Sequence, residues 1–226
     1  MMADLPEMSL METFIGGDAP PVMVLGLAAA SYVAGCFSTG YYLVRKRTGQ
    51  DIRELGSGST GARNAGRVLG RRGFWLTMAG DMAKGGLVVW LARALTGNDR
   101  VALLALLAVT AGHVWPAQLG FRGGKGVSTS LMGVLIYDWR LALIYCLFFA
   151  AAISVARRPV AVSLAGFALL PAASFWLGGD LPQTWEISVL AGMVILAHHR
   201  NVVEGIAELW SRRGIGARTD QSVKEL

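Results

Sequence analysis

Charge is scarce in this chain: of 226 residues only 16% are charged and 54% are hydrophobic, with mean hydropathy +0.47. That balance is too apolar for a soluble globule of this size and points to a polytopic membrane protein. Cysteine is nearly absent. Cys36 and Cys146 lie in different apolar stretches without metal-ligand spacing and read as packing residues. Only three histidines occur, His113, His198 and His199, and no ligand cluster of suitable spacing accompanies them, so neither a metal nor an organic cofactor is expected. Lys and Arg are missing from Met1 to Pro21, which makes this stretch a poor signal peptide. Nothing in the chain calls for nucleic acid.

What is present is a series of apolar stretches long enough to cross a hydrocarbon core, which takes roughly 20 helical residues. They run Val22 to Val44, Gly73 to Leu95, Val101 to Leu119, Trp139 to Ala156, Val160 to Leu177 and Trp185 to His198. A further piece, Val127 to Tyr137, is short for a full span. Between Arg45 and Arg72 lie eight cations against Asp51 and Glu54, which marks a cytoplasmic loop. If the short piece crosses, Arg122/Lys125, Arg157/Arg158 and His198 to Arg200 fall on the same side, while Asp99, Asp138 and Asp180 fall outside. If it does not, Arg157/Arg158 and Arg212/Arg213 move outside, against the rule. The expectation is therefore an all-α membrane protein with seven transmembrane helices, one of them short, its N-terminus outside and its C-terminus cytoplasmic. Residues 1–21 would form an extracytoplasmic tail, 22–210 the membrane-embedded domain and 211–226 a polar cytoplasmic tail. A net charge of +6 favours contact with anionic membrane lipid.

Three polar stretches combine glycine with side chains that bind anions: "ELGSGSTGARNAGR" (Glu54 to Arg67), "GHVWPAQLGFRGGKGVSTS" (Gly112 to Ser130) and "HHRN" (His198 to Asn201). In the first, Gly56, Gly58 and Gly61 let backbone N–H groups approach a ligand, Ser57, Ser59, Thr60 and Asn64 add hydrogen-bond partners, and Arg63 and Arg67 add charge. An ordinary cytoplasmic loop, basic only through topology, is the alternative. The second is not a nucleotide-binding P-loop: Leu119 stands where its first glycine belongs, and Lys125 is followed by Gly126. What remains is Lys125 among Gly123, Gly124 and Gly126, just before a helix whose first turn offers Ser128, Thr129 and Ser130. Such an N-terminus favours an anion, with a boundary lysine reaching for the interface as the alternative. Gln118, five residues after His113, rules out an H-x-x-x-x-D acyltransferase pair. Asp81 and Lys84 share one face of the second span, as a structural pair or a functional one.

Taken together these residues resemble the bacterial acyl-phosphate:glycerol-3-phosphate acyltransferases, integral membrane enzymes of phospholipid synthesis. The likeness runs from about Ala29 to about Glu208. "GHVWPAQLGFRGGKGVSTSLMGV" is similar to the family's second motif and "DIRELGSGSTGARNAGRVLG" to its first, while "DMAKG" matches D-x-x-K-G and "HHRN" matches the His and Asn of H-R-x-N. The chain departs from the pattern at Ser59, Arg63 and His199, where the family has Asn, Thr and Arg, and the C-terminal G-x-E is not evident near Trp210. These departures bear on fine substrate contacts more than on the fold.

The resemblance implies transfer of a fatty acyl group from acyl phosphate to the sn-1 hydroxyl of glycerol 3-phosphate, at the cytoplasmic face of a bacterial plasma membrane. It implies functional coupling to an enzyme that produces acyl phosphate. It also implies the site: Ser57, Arg67, Lys125, Asn201 and Ser163 around glycerol 3-phosphate, with Asn64, His198 and the glycine backbones around the acyl phosphate. His113, Ser128 and Thr129 complete the expected substrate-binding set. A transporter or a non-catalytic binding protein for phosphorylated anions is the rival reading; Asp81 and Lys84 lean towards it, whereas the clustering of the polar motifs at one face does not.

Overall fold

The structure, a computed structural model, describes residues 19–199 together with Val203. The expected site residue Asn201, together with Arg200, residues 1–18 of the N-terminal tail and the tail 211–226, lies outside the described residues. Within them the fold is helical throughout, with no strand. The helices are α1 (Pro21–Cys36), α2 (Thr39–Thr48), α3 (Ala62–Thr96), α4 (Asp99–Val114), α5 (Val127–Tyr137), α6 (Trp139–Ala156), α7 (Pro159–Trp176) and α8 (Leu181–Ala197), with 3-10 turns at Ile52–Glu54 and Ala117–Leu119.

Among the described residues, four stretches are long and apolar enough to cross a membrane: Pro21–Thr48, Asp99–Leu119, Trp139–Ala156 and Pro159–Trp176. Val127–Tyr137 and Leu181–Ala197 are shorter apolar helices. Two boundaries differ from the sequence reading. The apolar run Val22 to Val44 is broken at Phe37 and Ser38, which are extended. The break is stabilised because the ammonium of Lys84 donates to two carbonyls at the end of α1, Gly35 O at 3.1 Å and Phe37 O at 2.8 Å, groups that a helix end leaves without partners. The basic stretch before Gly73 is also largely helical. It forms the first turns of the 35-residue α3, which kinks at Gly70 (φ 70°, ψ −163°) before its apolar part.

Helix starts follow local chemistry. Asn98, Asp138 and Asp180 each accept from a backbone N–H of the first turn of α4, α6 and α8, and prolines open α1, α7 and α8. The centre of the bundle is α4, 61% of whose apolar window is buried, against 17% for α6. Two glycines let α1 lie directly on α4: a methyl on Gly35 would sit 2.2 Å from Val109 O, and one on Gly112 would sit 2.1 Å from Tyr32 O. Leu103, Leu106 and Val109 of α4 join Val134, Leu141, Phe167, Leu170 and Leu190 in one core. The apolar residues left exposed, such as Trp90, Leu147, Val155 and Trp176, lie on helix faces that suit lipid contact. The end of the central helix, at His113 and Val114, therefore sits where the neighbouring loops converge.

Candidate active site

The first glycine-rich stretch forms the loop from α2 to α3. Asp51 opens it by accepting from Arg53 N at 2.9 Å and by binding the Arg53 guanidinium, Nε to Oδ1 at 3.0 Å and Nη2 to Oδ2 at 2.5 Å. That hydrogen bonding holds the Asp51 carboxyl below the usual carboxylate range, against the opposing effect of burial. Arg53 also lies over the Tyr41 ring, 5.3 Å from its centroid, and donates through Nη1 to Leu119 O at 2.6 Å. It is a strut between the two loops.

Asn64 sits inside this loop, 1% exposed. Its Oδ1 accepts from Ser57 N at 3.0 Å, and its Nδ2 faces Ile52 O at 3.2 Å, Leu55 O at 2.8 Å and Ser59 O at 2.9 Å. The amide is thus committed to shaping the backbone from Ile52 to Ser59. Gly56 and Gly58 adopt left-handed φ (55° and 69°), and a methyl on Gly56 would meet Asn64 Oδ1 at 2.3 Å. This fold presents the side chains of Ser57, Arg63 and Arg67 at the exposed surface, with Gly61 capping α3. Arg63, Gly66, Arg67, Gly70, Arg71 and Phe74 line an open groove of about 450 Å³ along the start of α3.

The second stretch leaves α4 through Trp115, turns at Gly120 and Phe121 (φ 60° and 59°) and returns along the end of α4. Gly123 N donates to Val114 O at 3.1 Å and Gly124 N to His113 O at 3.0 Å. No side chain fits there: a methyl on Gly123 would lie 2.2 Å from His113 O, and one on Gly124 would lie 2.1 Å from His113 Nε2. Gly126 (φ 82°) then caps α5, next to Val194 of α8. The first N–H groups of α5, which have no partners within the helix, open beside Lys125. Thr129 and Ser130 turn inward, Thr129 with its carbonyl against Gly85 of α3 and Ser130 hydrogen-bonded to Thr110 at 3.1 Å, while Ser128 stays partly exposed.

The two loops touch directly through a hydrogen bond from Thr60 N to Gly123 O at 3.3 Å. His198, at the end of α8, completes the assembly. Its Nδ1 donates to Val194 O at 2.8 Å, a carbonyl that can only accept, which leaves Nε2 as the acceptor nitrogen. The charges of Lys125 and Arg63 both act on this ring, so one residue from each of the three polar stretches lies within electrostatic reach of the others. Ser163 lies in the second turn of α7, buried, its hydroxyl engaged by Tyr145 of α6 at 2.7 Å.

Beneath the second loop is a buried polar group that spacing alone only half revealed. Lys84 Nζ lies 2.8 Å from His113 Nδ1 and 3.3 Å from Asp81 Oδ1, and Asp81 Oδ1 lies 3.7 Å from His113 Nδ1. The pairing of Asp81 with Lys84 is legible at i and i+3, but their meeting with His113 across two helices is not. Among the described residues no three His, Cys, Asp or Glu side chains gather as metal ligands. The first loop and the start of α3 line an open groove with arginines, and the second loop brings its glycine backbone into contact with the first, chemistry that suits an anion such as a phosphate monoester.

A family profile described as glycerol-3-phosphate acyltransferase matches residues 25–208. The chain belongs to this family. It is 40% identical over 191 residues to the glycerol-3-phosphate acyltransferase 1 of Desulfitobacterium hafniense (strain Y51), covering 84% of this chain and 93% of the relative. It is 37% identical over 190 residues to the glycerol-3-phosphate acyltransferase of Gloeobacter violaceus, covering 82% and 92%. A crystal structure of PlsY (YgiH), an integral membrane glycerol 3-phosphate acyltransferase, in its glycerol 3-phosphate form superposes with TM-score 0.75 at 27% identity, over 82% of this chain and 92% of that one. Its lysophosphatidic acid form gives TM-score 0.73 at 25% identity. This member of the acyltransferase family is accordingly a multi-pass membrane protein.

Proposed function

We propose that this chain acylates glycerol 3-phosphate, taking a fatty acyl group from acyl phosphate and placing it on the sn-1 hydroxyl. The products are 1-acylglycerol 3-phosphate and inorganic phosphate. The observation that carries this reading is the hydrogen bond from Thr60 to Gly123, which sets two anion-binding loops side by side, with His198 in reach of both. Two adjacent anion sites are what a reaction between two phosphorylated substrates requires.

In this reading Lys125 and Arg67 neutralise phosphate charge, and Ser57 and Asn201 hold the glycerol 3-phosphate. Ser163 and the partly exposed Ser128 extend that site. The glycine backbone around Gly124 and the N–H groups at the start of α5 lie along the acyl phosphate, and Asn64 keeps Ser57 and its loop in register. The sn-1 oxygen attacks the acyl carbonyl carbon, a C–O ester bond forms, and the C–O bond to the phosphate breaks. The proton of the attacking hydroxyl passes to the departing phosphate, so positioning and charge neutralisation supply most of the rate. The acyl chain lies between helices, open to lipid. Seven spans, an outside N-terminus and a cytoplasmic site in the plasma membrane complete the proposal, with an acyl phosphate-producing enzyme upstream and residues 22–210 as the catalytic unit.

The test uses the full chain in detergent micelles with palmitoyl phosphate and glycerol 3-phosphate, following phosphate release and lysophosphatidate formation. Both products are expected in equal amounts. Absence of turnover with either substrate would sink the reading and leave a binding or transport role. The engagement of Lys84 by helix-end carbonyls and His113 gives that charge a place in the packing, which supports the acyltransferase over the transporter reading.

A further inference from the structure

We infer that Lys84 is a positioning residue for this reaction: it holds the His113 ring neutral, with its proton on Nε2, as the floor on which the Gly123–Gly124 backbone rests. This inference rests on the function proposed above, and deepens it by extending the site one layer below the substrates.

The argument is a count of protons and acceptors. An ammonium has three N–H donors and accepts nothing. Lys84 Nζ has four acceptors within reach: Gly35 O at 3.1 Å, Phe37 O at 2.8 Å, His113 Nδ1 at 2.8 Å and Asp81 Oδ1 at 3.3 Å. The three shortest of these contacts match its three protons. Asp81 Oδ1, 3.3 Å away, is buried and without a hydrogen bond, as this count requires, and it balances the charge through space. A nitrogen that accepts from an ammonium carries a lone pair, so the only ring proton of His113 is on Nε2.

That nitrogen faces the loop. An added methyl on Gly124 would fall 2.1 Å from Nε2 and 2.5 Å from the adjacent Cε1, so the ring edge lies directly under the glycine Cα. The same residue's carbonyl receives Gly124 N at 3.0 Å. Ring and carbonyl of His113 together fix the height and direction of the backbone that precedes Lys125. Protonating Nδ1 would set N–H against N–H at 2.8 Å, expel Lys84 from the two α1 carbonyls and tilt the ring. The ionisable groups facing this ring are Asp81 and Lys84 of α3, with Cys36 of α1 close to Lys84. Of these, Asp81 favours a charged imidazole once Lys84 is removed.

The experiment has an arm that needs no turnover. The full chain in micelles, with histidine labelled by nitrogen-15, holds only three histidines, and His113→Asn assigns the signal. The expected spectrum shows Nδ1 unprotonated and Nε2 protonated from about pH 5.5 to about pH 8, the range in which a free imidazole titrates. A proton on Nδ1, or titration of this ring in that range, would overturn the inference whatever the activity. In the kinetic arm, Lys84→Met should gain an acid limb that the wild type lacks, with kcat/KM for glycerol 3-phosphate falling about tenfold across it. The limb should vanish in Lys84→Met/His113→Asn and in Lys84→Met/Asp81→Asn. The latter also guards against misfolding, since it buries no lone charge. A Lys84→Met profile parallel to that of the wild type would refute the positioning role. Failure of the wild-type chain to make lysophosphatidate would refute the function and leave the nitrogen spectrum to decide the inference.

Discussion

The two ends of the helical bundle treat their cations in opposite ways. At the end formed by the α3–α4, α5–α6 and α7–α8 connections, arginines are tied to capping or neighbouring carboxylates: Arg93 to Asp99 at 2.7 Å, Arg140 to Asp138 at 2.8 Å, and Arg100 to Asp180. Arg93 also donates to Ile136 O and Tyr137 O at 2.9 and 2.8 Å, stitching α3 to the end of α5. At the other end Asp51 and Asp81 are each taken by one internal partner, Arg53 and Lys84, while Arg63, Arg67 and Arg71 have no carboxylate partner among the described residues. One end pairs its arginines internally and behaves as a clasp. The other leaves Arg63, Arg67 and Arg71 without carboxylate partners among the described residues, the chemistry that the proposed anion site would need.

The comparison breaks most sharply at Lys125. Lys125→Ala should lower turnover by about 10²- to 10³-fold, the usual consequence of losing one preorganised charge-stabilising group, with the folded population in detergent unchanged. Near-wild-type phosphate release would show that the charge at this end is ornamental. Next in size is Asn64→Ala, which removes the group bracketing four backbone positions. Leaving those buried groups unsatisfied costs about 1–3 kcal/mol. The loss should appear as an earlier melting transition and as a raised KM for glycerol 3-phosphate, because Ser57 loses its placement. A melting change without a KM change would mean that the loop does not carry Ser57 into the site.

Much of this division was legible in the sequence, because it is written in composition. The eight cations of Arg45 to Arg72 and the glycines around Lys125 signal a side and a chemistry, and the capping aspartates at 138 and 180 signal the other end. What spacing could not show is direction. Asn64 reads as a ligand among Ser57, Thr60 and Arg63, yet its amide points back into its own loop. Arg53 reads as one more loop cation, but its guanidinium bridges Asp51, Tyr41 and Leu119. The D-I-R triplet held the signal for that strut, since an Asp two residues before an Arg can cap a turn and pair at once. The break of α1 at Phe37 leaves no mark in an apolar run, because the lysine that stabilises it lies 47 residues later.

His198 sharpens the comparison in the middle of the range. Its Nδ1 is committed to Val194 O, which leaves Nε2 under the positive charge of Lys125 and Arg63. If the departing phosphate takes the proton, His198→Gln should keep a rate within about tenfold of the wild type, roughly 1.4 kcal/mol of barrier, since glutamine can still reach Val194 O or a substrate oxygen. A loss of many powers of ten, with a rate that tracks imidazole ionisation, would instead make His198 an obligatory base.

The smallest effect is expected at the clasp, and it is the control that gives the larger ones meaning. Arg93→Gln removes an exposed ion pair and two hydrogen bonds to the end of α5, together worth about 1–2 kcal/mol. It should lower the melting temperature by a few degrees while kcat/KM stays within about twofold, because sites this far apart with no shared partner act independently. If Arg93→Gln instead slows turnover as much as Asn64→Ala, then α5 transmits the state of one end to the glycine loop at its other, and the two ends form one cooperative device.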